Sequence, residues 1–180
     1  MSFSLACALA VSAWAQSSGG AIPRFEDYPA KEVYKGVQVA PKILTPIEQK
    51  YLTRIKEGVE KGWGVLRDGR EQQHRGPNFA GKMIVVQWGC GSPCLMMAME
   101  DAATGEVYLP PLSVDNTFAL PLLSIGDSVS GNPETTFRQD SRWMIIKATP
   151  DWYKVNHHSY AHYYLWQNNR WHLLHRERLD

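Results

Sequence analysis

The chain has 180 residues, of which 44% are hydrophobic, and its 19 lysines and arginines nearly balance 18 aspartates and glutamates. This length suits one domain with a full core. A formal net charge of +1 excludes the strongly basic surface with which proteins wrap nucleic acid or coat an anionic membrane.

The start of the chain has the pattern of a secretory signal. Its first fifteen residues read MSFSLACALAVSAWA, carry no charge and end in an A-x-A site. The apolar run is shorter than the roughly 20 residues that a bilayer span requires. No basic residue precedes the run, so we expect the natural start to lie upstream. We predict cleavage after Ala15, a periplasmic or secreted location, and no transmembrane segment in the mature chain.

A helix is predicted from the segment TPIEQKYLTRIKEGVEKG. Thr45 has the N-cap position, Pro46 the first helical position, and Glu48 completes a capping box. Gly62 follows the last turn, where glycine commonly ends helices. An apolar stripe along one side predicts that this side packs against a sheet.

Short apolar runs bounded by turn residues predict strands in the rest of the chain. They read KMIVVQW, CLMMAME, EVYLP, TFRQDSRWMIIKAT, SYAHYYLW and RWHLLHRERL. The last two flank Asn168 and Asn169, which tolerate the positive φ of a two-residue hairpin turn. That turn places Trp166 opposite Trp171.

These elements predict a single α+β domain at residues 45–180. We expect an antiparallel β-sheet of about five to seven strands with the N-terminal helix packed on one face. Residues 16–44 mix Ser, Gly and Pro with scattered aromatics, so we expect an extended arm that lies on the domain. Residues 64–75 and 110–136 are polar or rich in turn residues and are expected to form loops.

Two cysteines, Cys90 and Cys94, remain once the signal segment is removed. An even count in an exported protein indicates a disulfide. Their C-x-x-x-C spacing lies between two predicted strands, without a following helix to stabilise a thiolate. We therefore favour a structural disulfide over a redox-active dithiol, which stays as an alternative.

Four segments together resemble an uncharacterised family of exported bacterial proteins: GPNFAG (76–81), QWGCGSPC (87–94), DAATGEVYLP (101–110) and DSRWMII (140–146). The shared motifs are NFAG, WGCGxxC, DxxTGxV and DSR. The chain departs from that pattern by an extra segment at about 63–75, by Lys82-Met83 in place of a His-aromatic pair, and by lacking a second cysteine pair. The resemblance implies export and the fold, and it implies no activity.

Three histidines near the C-terminus, His158, His162 and His175, are candidate metal ligands. Strand alternation puts the first two on one face, and the hairpin register places His175 opposite His162, with Cβ atoms about 5 Å apart. Three imidazoles can bind Zn²⁺ or Cu²⁺ and leave a coordination position open. The other interpretation is that they are polar residues on a partly exposed sheet face, because no carboxylate ligand is in register.

The C-terminal region is also rich in aromatic residues, with seven between positions 152 and 171. Most of them are expected in the core or in cross-strand pairs, since aromatics favour strands. The remainder would form a platform for a sugar or a peptide. The candidate ligand-binding residues are Trp152, Tyr160, Tyr164, Trp166 and Trp171.

No catalytic constellation is evident in the sequence. Glu100 and Asp101 are neighbours on a predicted strand and point to opposite faces, and no segment matches a nucleophile elbow. The sequence therefore favours a non-catalytic exported domain without a cofactor. It would bind a protein or a cell-wall ligand through the aromatic C-terminal sheet and the 110–136 loop. A metal-dependent enzyme or metal carrier and a thiol redox protein are the alternatives.

Overall fold

The computed structural model describes residues 22–61, 63–65, 71–73, 75–91, 94–121, 123–125, 128–131, 133–151 and 153–180. The predicted signal segment, Gly62 and Trp152 lie outside the described residues. Helix α1 spans Pro46–Lys61, and two short 3₁₀ helices span Phe25–Asp27 and Val114–Asn116. The strands are β1 Trp63–Val65, β2 Glu71–Gln73, β3 Met83–Gly89, β4 Leu95–Asp101, β5 Val107–Tyr108, β6 Leu123–Ile125, β7 Ser128–Gly131, β8 Glu134–Phe137, β9 Trp143–Ala148, β10 Tyr160–Gln167 and β11 Arg170–Arg178.

Helix α1 begins with the predicted capping box. The N–H of Glu48 donates to Thr45 Oγ1 at 3.3 Å, and Glu48 Oε2 accepts the N–H groups of Thr45 and Leu44 at 3.1 and 2.6 Å. These bonds satisfy donors that the first turn leaves without a partner. Within the described ranges, no helix has the length and apolar character needed to cross a membrane.

The α+β class is confirmed, but the strands form two antiparallel sheets instead of one. Sheet A has the order β3-β4-β5, and sheet B has the order β11-β10-β9-β8. Two further ribbons, β1-β2 and β6-β7, lie largely within the segments predicted as loops. The prediction of a single sheet was wrong because the chain leaves sheet A after β5 and starts a second sheet at β8. The apolar pattern within each strand does not reveal where the chain passes from one sheet to the other.

The main core lies between the two sheets. Met83 and Val85 of sheet A share one buried cluster with Met144, Ile146 and Tyr164 of sheet B. Because side chains alternate along a strand, the intervening residues point to the outer faces. The two sheets therefore have a common inner layer and separate outer layers.

A different segment packs on the outer face of each sheet. Ile55 and Val59 of helix α1 share a buried cluster with Ile84 and Val86 of β3. Helix and strand lie so close at Gly58 that a Cβ there would collide with Val86. On the outer face of sheet B, the cluster of Trp143, Ala161 and Tyr163 packs against Phe25 and Tyr28 from the N-terminal segment.

Candidate functional site

The described part of the arm, residues 22–44, is bound to glycine turns of the domain. The N–H of Tyr34 donates to the carbonyl of Gly81 at 2.8 Å, and the N–H of Lys42 donates to that of Gly105 at 2.7 Å. Gly81 has a φ of 77°, and a Cβ on it would collide with the carbonyl oxygen of Glu32. Glycine is required there both for the backbone conformation and for the close approach of the arm.

The DSR turn holds the arm from the other side. The N–H of Ala30 donates to the carbonyl of Asp140 at 2.8 Å, and the N–H of Arg142 donates to that of Tyr28 at 2.9 Å. The hydroxyl of Ser141, which is buried, lies 3.1 Å from the same Tyr28 carbonyl. These contacts fix the arm against sheet B.

The NFAG segment is structural in its first two positions. The side-chain amide of Asn78 pairs with the main chain of Val85, accepting its N–H at 2.7 Å and donating to its carbonyl at 3.0 Å. Phe79 is fully buried, and its ring stacks on Trp171 at 5.7 Å between centroids. The segment thus joins the core and the arm, and its remaining residue, Ala80, lines a pocket.

A pocket of about 590 Å³ lies where the arm, the NFAG and DSR turns and the C-terminal hairpin turn meet. This size is within the range of small-ligand sites. Its lining residues are Lys31, Glu32, Tyr34, Ala80, Lys82, Arg142, Trp166, Gln167, Asn168 and Asn169.

The lining contains three cationic side chains, Lys31, Lys82 and Arg142, and one carboxylate, Glu32. Lys82 Nζ lies 2.5 Å from the buried Asp101 Oδ2, so its charge is compensated. Amide and aromatic groups make up most of the remaining wall. The wall of the pocket therefore combines cations, hydrogen-bonding amides and aromatic residues.

The predicted hairpin register is confirmed next to the turn and wrong further along. Trp166 lies opposite Trp171, as predicted, and the same register places Tyr164 opposite Leu173. An irregularity then leaves Leu174 without a facing residue, because Tyr163 pairs with the residue after it. Such a β-bulge shifts every later pair by one position.

The shift separates the candidate metal ligands. His162 lies opposite Arg176, and His175 lies opposite Tyr163. Since neighbouring residues on a strand point to opposite faces, His175 is on the other face of the sheet from His162. The predicted pairing of these two imidazoles was therefore wrong.

One ring nitrogen of His162 and one of His158 have a local partner. His162 is 2% exposed, its Nδ1 lies 3.3 Å from the carbonyl of Ile146, and burial lowers its pKa. His158 Nδ1 lies 3.3 Å from a carboxylate oxygen of Asp180. In the part of the chain that the structure describes, no three His, Cys, Asp or Glu side chains are grouped so as to hold a metal ion.

The candidate aromatic platform is mostly buried. Tyr164 and Trp166 are 7% and 5% exposed and belong to the core between the sheets, where Trp171 also packs. The ring of Tyr160 is covered by an arginine guanidinium 4.4 Å from its centre. Of the described candidates, Trp166 lines the pocket. Tyr160, Tyr164 and Trp171 are not among the residues that line it.

Glu100 is a buried acid, and its burial was not predicted from the sequence. Its side chain is 1% exposed, and neither carboxylate oxygen has a hydrogen-bond partner among the described residues. Burial, and secondarily the charge of Asp101, raise its pKa to about 8. It pairs with Ile84 and Val107, which belong to the apolar layer under helix α1. An acid within an apolar run such as LMMAME is the signal that could have identified it.

Cys90 and Cys94 lie at disulfide distance, with Cα atoms 5.2 Å apart, where β3 ends and β4 begins. Replacing both with serine is expected to lower the free energy of unfolding by about 2 kcal/mol, the loop-closure value for so short a loop. Urea unfolding measures this, and the reduced wild-type protein should match the variant. An unchanged free energy would contradict a structural role.

Comparison of the chain with family models, with curated proteins and with solved structures returns no match.

Proposed function

We propose that this chain is an exported, non-catalytic domain of the family that its motifs resemble, and that it binds a protein or cell-wall ligand of the cell envelope. The observation that carries the proposal is the pocket of about 590 Å³ between the arm, the NFAG and DSR turns and the hairpin turn. Its volume suits a sugar or a short peptide.

The way in which the pocket is assembled supports this function. Three of the turns that the motifs mark bind the arm, and the arm supplies Lys31, Glu32 and Tyr34 to the wall. Hydrogen bonds from the arm to Gly81 and to the DSR turn hold this part of the wall in place. A preformed site of this kind loses little conformational entropy when it binds.

A pocket-filling variant tests the proposal. Immobilised wild-type protein is exposed separately to solubilised cell-wall fragments and to envelope proteins, and the retained molecules are identified. A Gln167→Trp variant is expected to lose most of the captured ligand, because the indole occupies the pocket.

His172→Trp is the matched control, since His172 is exposed on β11 and does not line the pocket. It is expected to retain the ligand as the wild type does, and both variants should keep the wild-type melting temperature. Capture that is absent, or that is equal in the Gln167→Trp variant, would refute a binding function for this pocket.

A further inference from the structure

We infer that the pocket takes a ligand with a carboxylate group, which Arg142 binds with its guanidinium and Lys31 with its ammonium. This inference rests on the proposed function and names the chemical class of the ligand. A carboxylate on a sugar or on a short peptide has the required chemistry.

Charge is the first argument. Of the three cationic side chains of the pocket, Lys82 is compensated by Asp101. Arg142 and Lys31 have no ion-pair partner among the residues that the structure describes, and the one acid of the wall, Glu32, cannot neutralise both. A net positive charge therefore remains for an anion to compensate.

The placement of Arg142 is the second argument. Its main-chain N–H donates to the carbonyl of Tyr28 at 2.9 Å, and its Nε donates to that of Pro29 at 3.2 Å. The arm thus fixes the side chain at its base, and the two terminal nitrogens make no hydrogen bond within the described ranges. A guanidinium held in this way has two parallel N–H donors that match the two oxygens of a carboxylate.

The rest of the wall indicates what carries the carboxylate. Gln167, Asn168 and Asn169 provide side-chain amides that donate and accept hydrogen bonds, and the aromatic residues Tyr34 and Trp166 also line the pocket. Hydroxyl and amide groups of a sugar or a peptide can form hydrogen bonds with the side-chain amides, and the apolar faces of such a ligand can pack against the aromatic residues. A simple inorganic anion would leave this part of the pocket without contacts.

The alternative is that Arg142 only holds the arm. A Lys31→Ala variant separates the two interpretations, because the Lys31 side chain makes no hydrogen bond or ion pair with the rest of the described chain. Arg142→Lys keeps the positive charge and removes the planar pair of donors. Because it also removes the Nε–H that the Pro29 carbonyl accepts, its effect is interpreted together with that of Lys31→Ala.

The experiment uses two pairs of probes that differ only in the carboxylate. N-acetylmuramic acid is compared with its uncharged amide, N-acetylmuramamide, and acetyl-Ala-Ala is compared with its C-terminal amide. Binding is measured by titration calorimetry with the purified protein, and inorganic phosphate serves as a nonspecific anion.

The carboxylate member of one pair is expected to bind and its uncharged counterpart to bind at least about tenfold more weakly. The pair that responds identifies the source of the carboxylate. Arg142→Ala, Arg142→Lys and Lys31→Ala are each expected to weaken binding, the first by about tenfold or more. The charge-matched controls Arg54→Ala and Lys35→Ala, at exposed positions outside the pocket, should bind as the wild type does.

Three outcomes would overturn the inference: equal binding of charged and uncharged probes, phosphate binding as tight as that of the carboxylates, or no effect of either Lys31→Ala or Arg142→Lys. Each can occur while Gln167→Trp still abolishes ligand capture, in which case the pocket is the site and the ligand is not a carboxylate. The proposed function itself would instead be refuted if the wild-type protein captured no ligand, or if the Gln167→Trp variant captured as much as the wild type.

Discussion

A Glu100→Gln variant is expected to gain stability over the wild-type protein as the pH rises, by on the order of 3 kcal/mol at pH 7. The pKa of the Glu100 carboxyl is raised by burial, with help from the Asp101 carboxylate, from its ordinary value of 4.5 to about 8. Between these values the folded protein keeps a proton that the unfolded chain releases. The contribution of Glu100 to stability is therefore most favourable below about pH 4.5, and it declines until about pH 8.

Urea unfolding at several values between pH 5 and pH 8 measures this effect as the difference in unfolding free energy between variant and wild type. Other groups titrate equally in both proteins, so the difference isolates Glu100. Glu60→Gln, an exposed change on helix α1, is the control and should leave the wild-type pH dependence in place. A difference that stays constant with pH would mean that Glu100 is ionised and solvated at pH 7.

Glu100→Met is a second variant that is expected to gain unfolding free energy over the wild-type protein. It replaces the acid by an apolar side chain of similar length in the layer that includes Ile84 and Val107. Since the carboxylate oxygens have no partner among the described residues, their removal breaks no hydrogen bond. The variant is expected to be at least as stable as Glu100→Gln, because it also removes the desolvation cost of a neutral polar group.

A Gly81→Ala variant is expected to release the arm and to lose about 2 to 4 kcal/mol of unfolding free energy. Two effects add in this variant: the strain of an alanine at a φ of 77°, and the collision of its Cβ with the Glu32 carbonyl oxygen. The released arm should become sensitive to limited proteolysis at Lys31 and Lys35. Amide exchange at Tyr34 should accelerate, because its hydrogen bond to Gly81 is lost.

Gly76→Ala is a close control for this change. Gly76 also has a positive φ, 87°, but a Cβ there has no atom within 4 Å. It is expected to cost about 1 kcal/mol from backbone strain alone and to leave the arm protected. Equal losses in the two variants would show that contact with the arm contributes nothing at Gly81.

Local signals in the sequence predicted much of the secondary structure. The capping box of Thr45 and Glu48 identified the start of helix α1, and the Asn168-Asn169 turn identified the hairpin of β10 and β11. These features depend on residues a few positions apart, so the sequence contains them directly. The division into two sheets depends on a long connection and could not be predicted in this way.

The candidate site was predicted less well than the secondary structure, because it depends on contacts between residues that are distant in sequence. The predicted pairing of His162 with His175 was wrong because a single bulge at Leu174 reverses the faces beyond it, and either register satisfies the polar and apolar pattern. The pocket was not predicted because Lys31 and Arg142 are distant in sequence and meet only when the arm is bound. Trp166 was predicted to bind ligand, and it does line the pocket, although most of its ring is in the core.

The contacts of the arm have a consequence for the order of folding. The hydroxyl of Ser141 lies 2.9 Å from the carbonyl of Phe25, a residue 116 positions earlier in the chain. Such a contact closes a very long loop, and it cannot form until the DSR turn has been synthesised. The arm therefore leaves the ribosome well before its partners in the DSR turn. The pocket, to which the arm supplies three lining residues, is therefore incomplete until the DSR turn and the hairpin turn have been synthesised.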